Sequence, residues 1–543
     1  MKSFIYFALI SVYCLPIFAQ KYDSISIALD IIDLTFDESE IDSLKGKLYS
    51  QRENIKVIRR QSFPNDLPYC MVFIPPIEIS KIPDNQLPIE WGIEKDVQLP
   101  KEISELAFYP VHELATLIKS GQITSLELTE LFLDRIRKYG DTLECVITIT
   151  DSLAIEQAKR ADAELRQGIY RGPLHGIPYG VKDLLALKGY KTTWGANPYK
   201  DQMINYTATV IQKLEEAGAV LVVKLTLGAL AWGDVWYGGQ TKNPWNLLEG
   251  SSGSSAGSAS ATVAGLVPFA IGSETLGSIV HPSHKCGATG LRPTYGRVSK
   301  HGAMVASWSM DKLGPICRNA FDCALVFNAI LGTDGIDFSV REFPFNYNYK
   351  HDVKKLKIGV LTDLLKLESL NYSNDSTTIE LLESHGFQMI QKQLPYDYPV
   401  ESLAIILNAE SGAAFDELTR SNRDTLLVRQ IRELPNENRA SRLIPAVEYI
   451  QANRLRHGLT LQFNELMKDI DVLIAPSLGS QNLITNLTGH PCVIVPNGQY
   501  DENNPSSITL IGNHFNEANI LLFARYLQQQ TLFDEQKPSQ FLK

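Results

Sequence analysis

The sequence predicts an α/β protein, a β-sheet covered by helices on both faces. From Pro110 onward helical patterns alternate with short runs rich in β-branched and aliphatic residues, which is the signature of that class. Composition agrees: 44% hydrophobic and 21% charged residues describe ordinary globular protein, neither disordered nor fibrous. At 543 residues the chain has room for one large domain or two smaller ones. It contains no internal repeat.

Residues 1–19 read as a secretory signal. Lys2 gives a positive start, residues 3–18 are an apolar run too short for a comfortable bilayer span, and Ala19 offers a small residue for cleavage before Gln20. Ile17, at −3, is larger than such sites prefer. Cys14 is no lipoprotein start, because bulky Tyr13 precedes it. This reading sends the protein to the periplasm or outside the cell, and no later segment is apolar enough to span a bilayer. Residues 20–105 form an N-terminal extension, with a helical pattern over Asp23–Gln51 and a Pro-dotted, arm-like stretch from Phe63 to Pro100.

The main domain, 106–535, follows. Thr124 and Glu127 make a capping box ahead of Leu128, Leu131, Phe132 and Ile136, which share one helical face. Asp151 opens a second helix, with Ala154, Ala158, Ala161 and Leu165 inward and Gly168 ending it. A third spans Thr207–Gly218 beside a β-rich run, Ala219–Leu225. Further strands are expected at Leu266–Ile271, Leu356–Leu361, Val472–Ala475, Cys492–Val495 and Ile508–Ile511, with loops or insertions at 333–352 and 418–440. The six cysteines beyond Cys14 show neither C-x-x-C nor zinc spacing and read as small buried hydrophobes. A net charge of −10 argues against a nucleic-acid surface, which needs a basic stripe.

Three segments stand out. Gly250-Ser-Ser-Gly-Ser-Ser-Ala-Gly-Ser258 has a linker's composition, yet runs straight into a helix-then-strand pattern, which suits close backbone approach better. Gly272-Ser-Glu-Thr-Leu-Gly-Ser-Ile279 is a small-residue turn after a strand. Gly176-Ile-Pro-Tyr-Gly-Val-Lys-Asp183 sets Lys182 beside Val181 in a Gly/Pro frame.

Together these resemble the amidase signature family. The resemblance runs from about Val111 to the C-terminus. It takes in Arg171–Asp183, Thr192-Thr-Trp-Gly195, Thr241-Lys-Asn-Pro-Trp-Asn246, the Ser/Gly run, Gly287–Ser299 and Leu487-Thr-Gly-His-Pro491. It implies one large α/β/α sandwich around a mixed, twisted sheet, and a serine, cis-peptide serine and lysine as catalytic set. Carried onto this chain these are Ser278, Ser254 and Lys182, with the family's 24-residue separation of the serines reproduced. Ser254 adjoins Ser255, so a one-place shift stays open. The backbone N–H groups of Thr275, Leu276, Gly277 and Ser278 take the place of the family's oxyanion hole, where losing one donor costs about 2.7–4 kcal/mol of barrier.

The chemistry asks for these residue types. A serine hydroxyl attacks only when a base removes its proton, and lysine serves as base only when burial lowers its pKa from about 10.4. Ser254 would carry the proton from Ser278 to Lys182 and back to the leaving amine. An acyl-Ser278 intermediate would then be cleared by water.

The chain departs from the family where Leu276 replaces a frequent glycine, Glu274 the usual aspartate and Val280 a frequent arginine. Glu at that turn also occurs in the peptide-amidase branch, toward which the sequence leans. His281, His284 and Cys286 raise a Ser–His base or a metal site as rivals, but lack an acidic orienter at usable spacing. His490 reads as a turn residue, and Trp232, Trp236 and Tyr237 as pocket-lining or buried aromatics. The expectation is hydrolysis of a carboxylic or peptide-terminal amide, with a small-molecule or peptide substrate and neither metal nor organic cofactor. Two rivals share the fold: the A subunit of a glutamyl-tRNA amidotransferase, which makes ammonia for partner subunits, and a catalytically silent binding protein. The oligomeric state is not legible.

Overall fold

The computed structural model describes residues 24–61, 64–77, 82–428, 434–501 and 503–542. Among them, eleven strands pair into one sheet. In chain order these are β1 (Val146–Ile149), β2 (Pro178–Lys182), β3 (Val220–Leu225), β4 (Phe269–Glu274), β5 (Thr289–Arg292) and β6 (Lys312–Cys317). They continue with β7 (Ile358–Val360), β8 (Met389–Gln391), β9 (Val472–Pro476), β10 (Cys492–Asp501) and β11 (Asn504–Gly512). Their spatial order is β1-β3-β2-β4-β6-β5-β10-β11-β9-β7-β8. Strands β3, β2 and β4 run parallel, as do β9, β7 and β8, and the remaining neighbours are antiparallel.

Both faces of this mixed sheet are buried, and the side-chain period of two shows it. Val472 and Ile474 pack into one hydrophobic cluster while Leu473 and Ala475 join another. Val493 and Val495 divide from Cys492 and Ile494 in the same way. This is the expected α/β/α sandwich.

Among the described residues, those up to Pro64 form one compact unit and those from Asn65 onward a second. In the first, the helix expected over Asp23–Gln51 is two helices, α1 (Ser24–Ile31) and α2 (Glu38–Ile58). Asp33 takes a left-handed φ of 55° between them, and Asp37 with Glu40 starts α2 afresh as a capping box. In the second unit, the Pro-rich stretch packs on the body. Asn65 bonds both the N–H (2.6 Å) and the carbonyl (3.3 Å) of Val305, and Tyr69 and Phe73 lie against Trp308 and Tyr295.

Helices α3 (Val111–Lys119), α4 (Ser125–Leu143), α5 (Asp151–Arg166) and α6 (Thr209–Glu216) follow the sequence pattern, and Thr124 and Glu127 form the capping box of α4. The strand expected at Leu266–Ile271 is displaced. It starts at Phe269, because Pro268 has no N–H for a ladder and Gly265 turns the chain at φ +69°, and it continues to Glu274. The region 418–440 is partly helical, at Asp416–Arg420 and Leu434–Ser441. Cys145, Cys286, Cys317, Cys323 and Cys492 are buried as expected, whereas Cys70 is exposed. The signal reading of 1–19 lies outside the described residues. No helix among the described residues is long and apolar enough to cross a membrane.

Candidate active site

Lys182 ends β2, and Ser273 and Glu274 end its parallel neighbour β4. Val181 packs into the core, so alternation turns Lys182 to the opposite side, toward the start of α7 (Ala256–Val263). There its Nζ lies 2.7 Å from Ser254 Oγ, 2.9 Å from Ser273 Oγ and 3.1 Å from Ser255 Oγ. The lysine is wholly buried. Burial pushes its amine down to about 7, against the opposing pull of Asp311 and Glu274.

The Ser/Gly run is packed structure. The Gly253–Ser254 peptide is cis, and Ser254 is 1% exposed. Glycine is required at 253 because a Cβ there would sit 1.9 Å from the carbonyl oxygen of Gly233. Every residue of α7 is small enough to be buried against the sheet. Two bonds fix Ser255: its hydroxyl donates to the Ser273 carbonyl (3.0 Å) and accepts from the Ser273 N–H (3.1 Å). The Ser255 N–H donates to the carbonyl of Ser278 at 3.1 Å, which ties the two serine-bearing segments together.

Ser278 lies on the turn between β4 and α8 (Val280–Cys286) and is 8% exposed. Gly277 allows that turn at φ +80°, where a Cβ would strike the His281 ring at 2.6 Å. Among the described residues, the N–H groups of Thr275, Leu276, Gly277 and Ser278 donate to no acceptor, and the Ser278 hydroxyl has no partner.

Glu274 anchors this turn. Its Oε2 accepts from Ile279 N–H (2.8 Å) and Val280 N–H (2.9 Å), and its Oε1 from Arg292 and Asn486, each at 2.9 Å. Burial pushes its carboxyl up, but Arg292, Lys312 and these donors hold it down at about 2. Asp311 is a second anchor. It accepts from the Thr275 hydroxyl (2.6 Å) and from the N–H groups of Ala306 (2.9 Å) and Ser307 (3.0 Å). Neither role was read from the sequence. Arg292 stands in the Gly-Leu-Arg-Pro segment, and a buried arginine demands a carboxylate, so Glu274 had a signal. Asp311 had none.

The other candidates lie apart from the lysine. His281 Nε2 is 3.2 Å from Asn482 Nδ2, and burial pushes the ring below its ordinary pKa. His284 bonds Ser507 at 2.7 Å and is pushed down to about 4, again by burial. With Cys286 they do not gather into a metal-ligand set, nor does any group of three or more such residues among the described ones. His490 is buried against His514 and bonds Thr488. Trp236 bonds the Glu144 carbonyl, Tyr237 is half-buried and Trp232 is 36% exposed. A cavity of about 440 Å³ is lined by Ser252, His281, His284, Leu478 and Ser507, next to the serine-bearing segments.

Comparison with known proteins places this geometry. Residues 127–521 match the amidase family. The GatA-type chain of the glutamyl-tRNA(Gln) amidotransferase of Coxiella burnetii is 32% identical over 478 residues, 79% of this chain and 98% of that protein. The X-ray structure of native peptide amidase from Stenotrophomonas maltophilia aligns with a TM-score of 0.70 at 28% identity, over 79% of this chain and 98% of that one. A bacterial aryl acylamidase of the amidase signature enzymes shares the fold, with a TM-score of 0.71 at 21% identity over 80% and 98% of the two chains. In sequence over most of its length and in fold, the chain belongs to the amidase signature family and is an amide-hydrolysing enzyme.

Proposed function

We propose that this enzyme is an exported amidase that hydrolyses a carboxylic or peptide-terminal amide, with Ser278 as nucleophile, Ser254 as proton relay and Lys182 as base. One observation carries the reading: a wholly buried lysine whose amine is pushed down to about 7 lies 2.7 Å from the hydroxyl of Ser254, directly after a cis peptide. A neutral amine has two N–H donors and one lone pair. The Ser255 hydroxyl proton is spent on the Ser273 carbonyl, so Ser255 can only accept from the lysine, whereas the Ser254 hydroxyl, 2.7 Å away, has its proton free for the amine's lone pair. That favours Ser254 over Ser255 as relay.

In the reaction, Lys182 takes the Ser254 proton as Ser254 takes that of Ser278, and Ser278 Oγ attacks the amide carbonyl. Negative charge develops on the carbonyl oxygen, where the unengaged N–H groups of Thr275, Leu276, Gly277 and Ser278 stabilise it. On collapse the C–N bond breaks, and the proton on Lys182 returns through Ser254 to the leaving amine. Water then attacks acyl-Ser278 by the same relay and releases the acid.

Purified protein should turn over amides and C-terminally amidated peptides and label with a fluorophosphonate. Ser278→Ala should lose both while keeping its circular dichroism. A Ser278→Ala enzyme that retained turnover would refute the assignment. The Lys2-led apolar run and Ala19 support export. Mass spectrometry of protein from its native host should then find a chain starting at Gln20, and intact Met1 in the cytosol would overturn that. The relatedness to GatA-type amidotransferase chains favours a second reading, release of ammonia from glutamine for partner proteins. Co-purification with such partners would decide for it.

A further inference from the structure

A second cavity, of about 470 Å³, lies at the other end of the sheet. Lys312 opens β6 close to Thr275, and Arg318 follows its last residue, Cys317. At about 3.3 Å per residue, a strand of six residues puts Arg318 roughly 20 Å from the catalytic end.

Arg318 lines this cavity and is 7% exposed. Among the described residues its guanidinium has neither hydrogen bond nor ion pair. Its contact is the Phe108 ring, 5.0 Å away. A buried arginine left this way is unusual, because its five donors ordinarily find acceptors. Other donors lining the cavity are spent: Gln528 on the Thr289 hydroxyl (2.8 Å), and the part-buried Arg525 on the carbonyl of Trp91 (3.0 Å) and His112 on Asp322 (2.9 Å). Asp534 lines the same space, and its carboxylate bonds no other described side chain. The two charges sense each other, yet stand beyond ion-pair distance. Burial pushes the Asp534 carboxyl up to about 6 and the Arg318 guanidinium down to about 10. Burial thus disfavours the charged form of both groups and neither has a side-chain partner among the described residues, a cost that a ligand of the right shape would relieve. Phe108 and Phe321 also line it, and Glu94, Glu113 and Glu535 outnumber Arg525 and Lys537 around them.

We propose that this cavity is a binding site for a free apolar α-amino acid, its carboxylate on Arg318, its ammonium on Asp534 and its side chain against Phe108 and Phe321. The fit follows from charge. An anion alone would meet Asp534 and the acidic rim, and a cation alone would meet Arg318. A zwitterion satisfies both. The site is separate from Ser278, so the proposal stands whatever amide the enzyme cleaves.

Calorimetry on the full chain carrying Ser278→Ala tests this with three probes: L-phenylalanine, 3-phenylpropionate and phenethylamine. Phenylalanine should bind one per chain, and each single-charge probe about tenfold or more weakly, since a charge-assisted bond is lost in each case. Arg318→Gln should abolish phenylalanine binding, and with Ser278 intact it should leave amide turnover unchanged. Should Arg318→Gln fail to fold, Asp534→Asn decides, and it should bring phenylalanine down to the level of phenylpropionate. No binding of phenylalanine, binding indifferent to both substitutions, or phenylpropionate binding as tightly as phenylalanine would each overturn the proposal.

Discussion

Replacing Lys182 by methionine should inactivate the enzyme and, at neutral pH, make it more stable. Burial lowers the lysine from 10.5 to about 7 in the fold. In the unfolded chain it titrates normally, so between those two values the unfolded state holds a proton the folded state lacks. Stability therefore rises with pH across that window, and the cost of burying the lysine is complete at and below about pH 7. At about 1.4 kcal/mol per tenfold change, that cost is roughly 5 kcal/mol. Methionine, of similar length and no charge, removes it.

Against the gain stand the hydroxyls that lose a partner. Ser255 stays satisfied by the backbone of Ser273, which leaves Ser254 and Ser273 each short of one bond, at about 1–3 kcal/mol apiece. With about 2 kcal/mol for each, the net at pH 7 is a gain of about 1 kcal/mol. Near pH 10 the charge cost has almost vanished and the lost bonds remain, so the sign reverses. Thermal midpoints of wild type and Lys182→Met at the two pH values read this sign directly. Lys224 and Lys312, also lowered by burial, tilt both proteins alike and cancel in the difference. A variant less stable than wild type by the same amount at both pH values would show that Lys182 is charged in the fold, and the base assignment would fall.

The pre-steady-state acylation rate should rise with pH through a limb near 7, set by the fraction of neutral Lys182. His281→Ala should keep this limb, and its loss in that variant would point to the histidine. Glu274→Gln should cost about 3–5 kcal/mol of stability, because Arg292 is left buried without its counter-charge. The wild-type stability owed to Glu274, depressed from 4.5 to about 2, should be present above 4.5 and fade as pH falls toward 2, and a Glu274→Gln variant with unchanged acid denaturation would contradict this. Asp311→Ala frees Thr275 and the Ala306–Ser307 N–H groups, so kcat should fall about 10²-fold with little change in KM; a KM-only effect would assign Asp311 to substrate binding.

The site was more legible than the strands that hold it. Val472–Ala475 and Cys492–Val495 show themselves as continuous apolar runs, as sheet interiors do. Pro178-Tyr-Gly-Val-Lys182 does not. Its proline, glycine and lysine speak against a strand, and it is one because β3 and β4 hold it on either side. The three catalytic candidates carried their signal in segment order and spacing, which survive without knowledge of the fold. Asp311 had no such signal, since its meaning comes from Thr275, 36 residues earlier in the chain. The offset of β4 has a similar cause. Leu266 and Val267 are as apolar as strand residues and fully buried, yet Gly265 and Pro268 keep them out of the ladder.

The anchoring of Glu274 also bears on how burial can lower the Lys182 amine to about 7 beside carboxylates. Glu274 and Asp311 each pull the Lys182 amine toward its charged form, and two free carboxylates at such a site would keep the base protonated at neutral pH. Glu274 is instead closed against Arg292 at 2.9 Å, with both side chains buried, so much of its field ends on the guanidinium. Its further acceptor capacity is spent on the N–H groups of Ile279 and Val280. Among the described residues Asp311 has no such cation at bonding distance, but its acceptor capacity is spent on the Thr275 hydroxyl and the N–H groups of Ala306 and Ser307. Desolvation then outweighs both pulls. A buried ion pair is poor evidence of stability gained. Here Glu274 shapes the turn that carries Ser278 and Arg292 offsets its charge near Lys182, so one pair would serve both the geometry of the proposed nucleophile and the protonation state of the proposed base.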